Sequence, residues 1–210
     1  MSLGIASWVG EVDAEVAASL YSLPGEHRVA GAVAARAADL WIHIDVILDV
    51  DAEGRVSNRG VSADELRAVL LAVPDARLDI HVITTLPAAA CQGVLAELRA
   101  VLVAHPAQRW SAPSHLLDTL PADGERWQER WHGRRDAKPT GEPEGVLLML
   151  IEPGTAGSAD LAALEECREL RRLGVRMGVD GGVTEAVAQA AVAAGVGYLV
   201  SGRALFALDG

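Results

Sequence analysis

The sequence predicts an α/β fold in which eight parallel strands and their connecting helices close into a (β/α)8, or TIM, barrel, a single domain over residues 1–210. Three observations carry this. Short apolar runs of strand length alternate with amphipathic segments of helix length along the whole chain, the pattern of parallel strands joined by crossover helices. Seven of those runs are clear and an eighth is weaker, which fits a closed barrel better than an open doubly wound sheet. The polar exceptions within the runs gather at their C-terminal ends, where a barrel brings its strands to one mouth.

Taken in order, "LGIAS" (Leu3 to Ser7) reads as the first strand and "LWIHID" as the second. Ser62, with Glu65 three residues on, forms a capping box that opens the helix "LRAVLLAV". "ARLDIHVI" (Ala76 to Ile83) reads as the third strand and "AVLVAH" (Ala100 to His105) as the fourth. The weaker fifth, "RWQERWHG", sets Trp127, Glu129 and Trp131 on one face. From Arg130 to Glu144 no helical period is visible and prolines and glycines intervene, so an irregular fifth β/α unit, a loop in place of a full helix, is expected. "GVLLMLI" is the sixth strand, and Ser158 precedes a helical pattern that closes on basic residues and Gly174. "GVRMGVD" (Gly174 to Asp180) is the seventh strand, Thr184 opens a helix ending at Gly195, and "GYLVSG" (Gly197 to Gly202) is the eighth strand. Trp110, Trp127 and Trp131 are read as packing residues in preference to a partner surface.

Eighteen Lys and Arg against 29 Asp and Glu give a net charge of -11, which disfavours nucleic acid and anionic membrane surfaces as partners. It does not exclude a small anion held by backbone N–H groups. Cys91 and Cys167 both fall in helical patterns, so no disulfide framework or zinc-knuckle spacing is present and a reducing, cytoplasmic setting is expected. The longest apolar run, Val146 to Ile151, is far short of a membrane span.

"WIHIDV" places His43 and Asp45 on one face of a strand whose other face is apolar. A carboxylate buried without a partner is costly, so this face needs company. His81 in the third strand and Asp180 at the end of the seventh supply it. Two imidazoles and two carboxylates suit a divalent cation such as Zn, Fe(II) or Mn, with positions left for substrate oxygens. His27, His105, His115 and His132 fall in helices, loops or less ordered stretches and are read as solvated or packed. Gly181 and Gly182 stand between a strand and the helix from Thr184, and Gly202 is placed at the start of a last helix. Glycines at helix N-termini after the seventh and eighth strands suit a phosphate.

With those motifs, "LWIHIDV", "LDIHVI", "VLLMLIEPGTAG", "GVDGGV" and "VSGRALF", the chain resembles the ribulose-phosphate 3-epimerases over most of its length, most weakly from about Trp110 to Glu144. The resemblance implies a metal held by His43, Asp45, His81 and Asp180, with Asp45 and Asp180 doubling as catalytic base and acid in an order set by substrate direction. It implies epimerisation at C3 of a ketose phosphate through an enediolate, D-ribulose 5-phosphate to D-xylulose 5-phosphate by default. A homo-oligomer is implied as well. Ser7 matches a family serine near the substrate, and Met149 a family methionine. Gly154 and Gly157 fall in the loop after the sixth strand, and Ser201 and Gly202 in the phosphate turn. Arg203, where the family has a small polar residue, either contacts phosphate or projects into solvent. Ile47 and Ile83 replace family methionines, and "EPGTAGSAD" lacks an aromatic, a glycine and a glutamine of the family loop. An intact ligand set under altered covering loops suggests a retained reaction on a changed substrate; the alternative is a sugar-phosphate-binding or regulatory homologue without efficient catalysis.

Overall fold

A computed structural model describes residues 3–131, 143–152 and 157–208. Its strands are β1 (Leu3–Ile5), β2 (Glu15–Ser19), β3 (Trp41–Val50), β4 (Val56–Asn58), β5 (Leu78–Ile83), β6 (Arg109–Ala112), β7 (Glu125–Trp131), β8 (Gly145–Met149), β9 (Met177–Asp180), β10 (Tyr198–Ser201) and β11 (Phe206–Leu208). Described α-helices are α1 (Arg28–Ala37), α2 (Ala63–Ala72), α3 (Ala88–Leu102), α4 (Ala163–Arg172) and α5 (Glu185–Ala193). Strands β2, β3 and β5 to β10 pair in parallel around a closed ring, the β2–β3 pairing sealing it. The eightfold barrel is therefore the fold.

Three element assignments need correction. The first barrel strand is β2, whereas Leu3–Ile5 pairs antiparallel with β11 outside the ring. "EVAAS" is small and alanine-rich, so it carries little strand propensity; its place is fixed by burial of Val16 to Ser19 between β3 and β10. The fourth strand is β6, and Ala100–Leu102 instead ends α3. There Cys91, Leu95, Leu98 and Leu102 are buried at helical spacing while Val103 is exposed, so the 3.6-residue period prevails over the short apolar run. After β10 the described chain forms a turn and then β11 rather than a helix, and Phe206 packs against Gly31 of α1. The β1–β11 ribbon with buried Trp8, whose indole N–H donates to Ala204, lies where a last helix was expected.

The connection from β6 to β7 carries only a 3-10 segment (Ser114–Thr119), so the fourth unit is short. The expected fifth-unit loop lies largely outside the described residues, as does His132. Most helix signals hold: Ser62 and Glu65 close a complete capping box, Thr184 caps α5 through the Val187 amide, and Gly174 and Gly195 end their helices with positive φ, whereas α4 begins only at Ala163, beyond Ser158 and without a side-chain cap. Such a cap contributes about 1 kcal/mol.

The main core lies between barrel and helices, where Trp110 is buried. A second cluster, Ala17, Trp41, Trp127, Leu147, Tyr198 and Val200, fills the barrel interior, so both Trp110 and Trp127 are packing residues. Gly145 makes room for Trp127, since a Cβ there would lie 2.6 Å from its ring. Below that cluster sits Arg109, 1% exposed, boxed by the rings of Trp41, Trp127 and Tyr198 at 4.4, 4.3 and 4.1 Å and paired with Glu125 and Glu15. Burying a guanidinium is tolerable only with such company.

Candidate active site and metal centre

Inward positions of neighbouring strands build the site in layers. On β3, Trp41, His43 and Asp45 point inward by the two-residue period, and on β5 Asp79 and His81 do the same; the register sets His43 beside Asp79 and Asp45 beside His81. Asp180 arrives from the end of β9. His43, Asp45, His81 and Asp180 are all buried, with one ligand atom of each lying within 4.8 Å of the others. The four residues expected from strand ends are thus brought together.

Their inward atoms are His43 Nε2, 3.2 Å from Asp45 Oδ1 and 3.6 Å from Asp180 Oδ2, and His81 Nδ1, 3.5 and 3.4 Å from the same oxygens. His81 Nδ1 is buried without a hydrogen-bond partner. A buried nitrogen without a hydrogen-bond partner, aimed at two carboxylates, has the chemistry of one donor in a ligand set for a divalent cation. Two imidazoles and two carboxylates are donors that Zn, Fe(II) and Mn accept, so the residues fit such a group.

Behind this set stand groups that sequence reasoning missed. Ser19 Oγ donates to Asp45 Oδ2 at 2.8 Å. Asp79 Oδ2 lies 2.7 Å from His43 Nδ1 and accepts from the Tyr198 hydroxyl at 2.6 Å. Glu129 Oε2 lies 2.9 Å from His81 Nε2, and its Oε1 accepts from the Trp131 indole at 2.5 Å. The signal for Asp79 was available: in "LDIHVI" it precedes His81 by two residues, the same spacing that singled out His43 and Asp45.

Electrostatics follow from this cage. Burial disfavours charge on His43, but the Asp45 and Asp79 carboxylates outweigh it and push its pKa from 6.5 up to about 10. Burial also opposes the imidazolium of His81, yet the surrounding carboxylates of Asp180, Asp45 and Glu129 hold its pKa well above the ordinary value. Asp45 moves the other way: against its burial, His43 and His81 keep the carboxyl ionised far below the usual range.

Above the four residues opens a cavity of about 730 Å³ at the C-terminal end of the strands. Asp45, Asp180, Met149, Gly157, Gly181, Gly182, Gly202 and Arg203 line it, with Ile47 and Ile83 on its wall. Gly181 and Gly182 hold φ of 98° and 67°, the left-handed region that glycine enters freely. At Gly202 a Cβ would come within 2.5 Å of the Ser22 Cβ. Among the described residues the amides of Gly182, Gly202 and Arg203 have no backbone acceptor.

Two expected contacts are placed elsewhere. Ser7 is exposed on the 3-10 segment before the first barrel strand, and Ser19, at the C-terminal end of β2, occupies the cavity wall instead. The cause is the corrected strand assignment. Ser201 is buried and donates to the Val183 carbonyl at 2.8 Å, tying β10 to the turn after β9. Gly154 lies outside the described residues. His115 is exposed and bonds the Leu86 carbonyl, the solvated alternative of its reading. No described helix is long and apolar enough to cross a membrane.

Comparison with solved structures shows the same barrel at low identity. Phosphoribosyl anthranilate isomerase from Thermus thermophilus matches with a TM-score of 0.63 and 14% identity, covering 90% of this chain and 88% of that one. A phosphodiesterase from Oleispira antarctica, in complex with its product sn-glycerol-3-phosphate, matches at 0.58 and 11%, covering 94% and 96%. KGPDC from Streptococcus mutans matches at 0.55 and 13%, covering 90% and 88%. No curated protein matches the sequence. The family model of the ribulose-phosphate 3-epimerases does match, over residues 15–206, a span that starts at the first barrel strand and contains all four clustered residues. The chain therefore belongs to the ribulose-phosphate 3-epimerase family, isomerases that act on carbohydrate phosphates.

Proposed function

We propose that the protein epimerises C3 of a ketose phosphate, with D-ribulose 5-phosphate and D-xylulose 5-phosphate as the default pair, and that it does so with a divalent metal. The observation that carries this is the placement of Asp45 and Asp180. They stand on β3 and β9, separated around the ring by β2 and β10, and both line the cavity directly over the histidines. Epimerisation needs a group on each face of a carbon, one removing a proton and the other returning it. Two carboxylates brought within 4.8 Å of each other from strands on either side of β2 and β10 suit that requirement.

His43, Asp45, His81 and Asp180 would hold the metal. Bound there, a divalent cation supplies electrostatic stabilisation of the enediolate charge that develops as the poorly acidic proton α to the ketone leaves. Asp45, kept ionised by the two histidines, takes the C3 proton in one direction. Asp180 delivers a proton to the opposite face, and the roles reverse with the substrate. Ser19 fixes the Asp45 carboxylate through Oδ2, leaving Oδ1 toward the centre.

The phosphate is assigned to the turns after β9 and β10. The amides of Gly182, Gly202 and Arg203 and the Arg203 guanidinium at the rim offer donors there, and Thr184 begins α5 behind them. Gly157 and Met149 belong to the same proposed substrate surface, in which Ser19 takes the place of Ser7.

The test is exchange of the C3 proton of D-ribulose 5-phosphate with deuterated solvent, followed by NMR with zinc, iron(II) or manganese added. Exchange that falls by about 10²–10⁴ in Asp45→Asn and in Asp180→Asn is expected. Full exchange in the double variant removes both residues from the mechanism.

A further inference from the structure

Among the described residues, two buried carboxylates lie beyond those the proposed proton transfer uses. Asp79 is wholly buried and Glu129 is 5% exposed, and each sits behind a histidine, on the side away from the cavity. A buried carboxylate costs several kcal/mol unless neighbours compensate it. Both have been given such neighbours. Asp79 is opposite Arg109 in the strand register and accepts from Tyr198; Glu129 accepts from Trp131.

The histidines use them in opposite senses. His43 turns Nδ1 to Asp79 and Nε2 to the centre, while His81 turns Nε2 to Glu129 and Nδ1 to the centre. The reason lies in where each carboxylate comes from. Asp79 is the register neighbour of His43 on the adjacent strand, whereas Glu129 reaches His81 from β7, two strands further round. The rings stand 5.4 Å apart at 61°, edge to face, so each is approached from a different side.

A carboxylate only accepts, so the ring nitrogen facing it must carry the hydrogen. In a neutral imidazole the lone pair is then left on the other nitrogen. From this we infer that Asp79 and Glu129 are positioning residues that commit His43 to ligate through Nε2 and His81 through Nδ1. The inference rests on the metal reading above and extends it: the two histidines are distinct ligands, each wired by its own carboxylate. Tyr198 is part of the same wiring, because its hydroxyl shares Asp79 Oδ2 with His43.

The experiment uses the full-length protein labelled with 15N-histidine and loaded with zinc. Long-range proton–nitrogen correlation should show His43 protonated at Nδ1 and His81 protonated at Nε2. Asp79→Asn and Glu129→Gln should each weaken zinc binding by about 10–100-fold in chelator competition, with Tyr198→Phe weaker by a smaller factor. A purely structural role would lower the melting temperature of the metal-free variants without moving zinc affinity or the nitrogen that binds. Should a variant fail to fold, the wild-type spectrum decides alone. Bound zinc with both rings protonated at the same nitrogen, or wild-type affinity in both variants, overturns the inference and leaves the metal reading standing. A wild-type protein that takes up no zinc overturns both.

Discussion

Gly60 offers a sharp test of how the site is held, because the residue touches no ligand side chain. A Cβ built on it would lie 2.1 Å from the Asp45 carbonyl oxygen and 2.8 Å from the Ile47 amide nitrogen. Ordinary contact begins at about 3.5 Å, and both obstacles are backbone, so no side-chain rotation relieves the clash. The segment after β4 must instead lift from β3 by roughly an ångström. That motion strains two bonds that clamp this stretch, Val61 N–H to the Asp45 carbonyl and Arg59 N–H to the Ile47 carbonyl, both 2.8 Å. At about 1 kcal/mol each, Gly60→Ala should cost about 2 kcal/mol, and for a chain of this length that lowers Tm by about 4–8 °C. Because the clamp grips the peptide of Asp45, zinc affinity should fall with stability, and proton exchange at C3 by about 10²-fold if the carboxylate shifts by an ångström. Calorimetry and chelator competition on the same preparation check both. A variant that melts and binds zinc as the wild type does would refute the reasoning, since the clash admits no cheap escape.

Three further outcomes are expected. Gly93, exposed in the interior of α3 with open space where a Cβ would go, should gain about 0.5–1 kcal/mol on Gly93→Ala, read as a rise in Tm. Arg203→Gln should raise KM for a ketose phosphate by about tenfold with kcat little changed, the mark of a group that binds phosphate equally in ground and transition states; an unchanged KM would return Arg203 to solvent. In the metal-free protein the raised pKa of His43 contributes stability that is complete below pH 6.5 and lost as pH rises through about 10, while the lowered pKa values of Asp45 and Asp79 contribute stability present above about pH 3.8 and lost below it. Zinc displaces the histidine protons, so the rise in Tm on adding zinc should grow from pH 6.5 toward 10; a constant or shrinking rise in thermal melts would contradict it.

How far the sequence disclosed this site depends on which signal each residue carried. His43, Asp45, His81 and Asp180 were legible because each is a polar break in an apolar strand, and a two-residue period assigns such a break to a face without knowledge of the partner strand. Thr184, Ser62 and Gly195 were legible because caps are local chemistry. Ser19 was not, since "EVAAS" has little branching and no alternation, and only closure of the ring between β10 and β3 makes it a strand. Arg109 was hidden for the opposite reason: a guanidinium marks a surface by default, and only three rings and two carboxylates from four other strands reverse that.

The same distinction explains why the functional shell outruns the sequence reading by one layer. Residues that face the cavity are spaced by their own strand, and a single stretch betrays them. Residues that orient those ligands act across strands: Glu129 reaches His81 over 48 positions and Tyr198 reaches Asp79 over 119. No periodicity records such a pairing. What does survive in the sequence is a carboxylate in the inward register of a barrel strand. Asp79 and Glu129 both show it. Asp79, two residues before His81 on β5, holds His43 of the neighbouring strand, and Glu129, on a strand without a ligand, holds His81. An inward acid therefore marks an orienting carboxylate, while only the folded register names the histidine it holds.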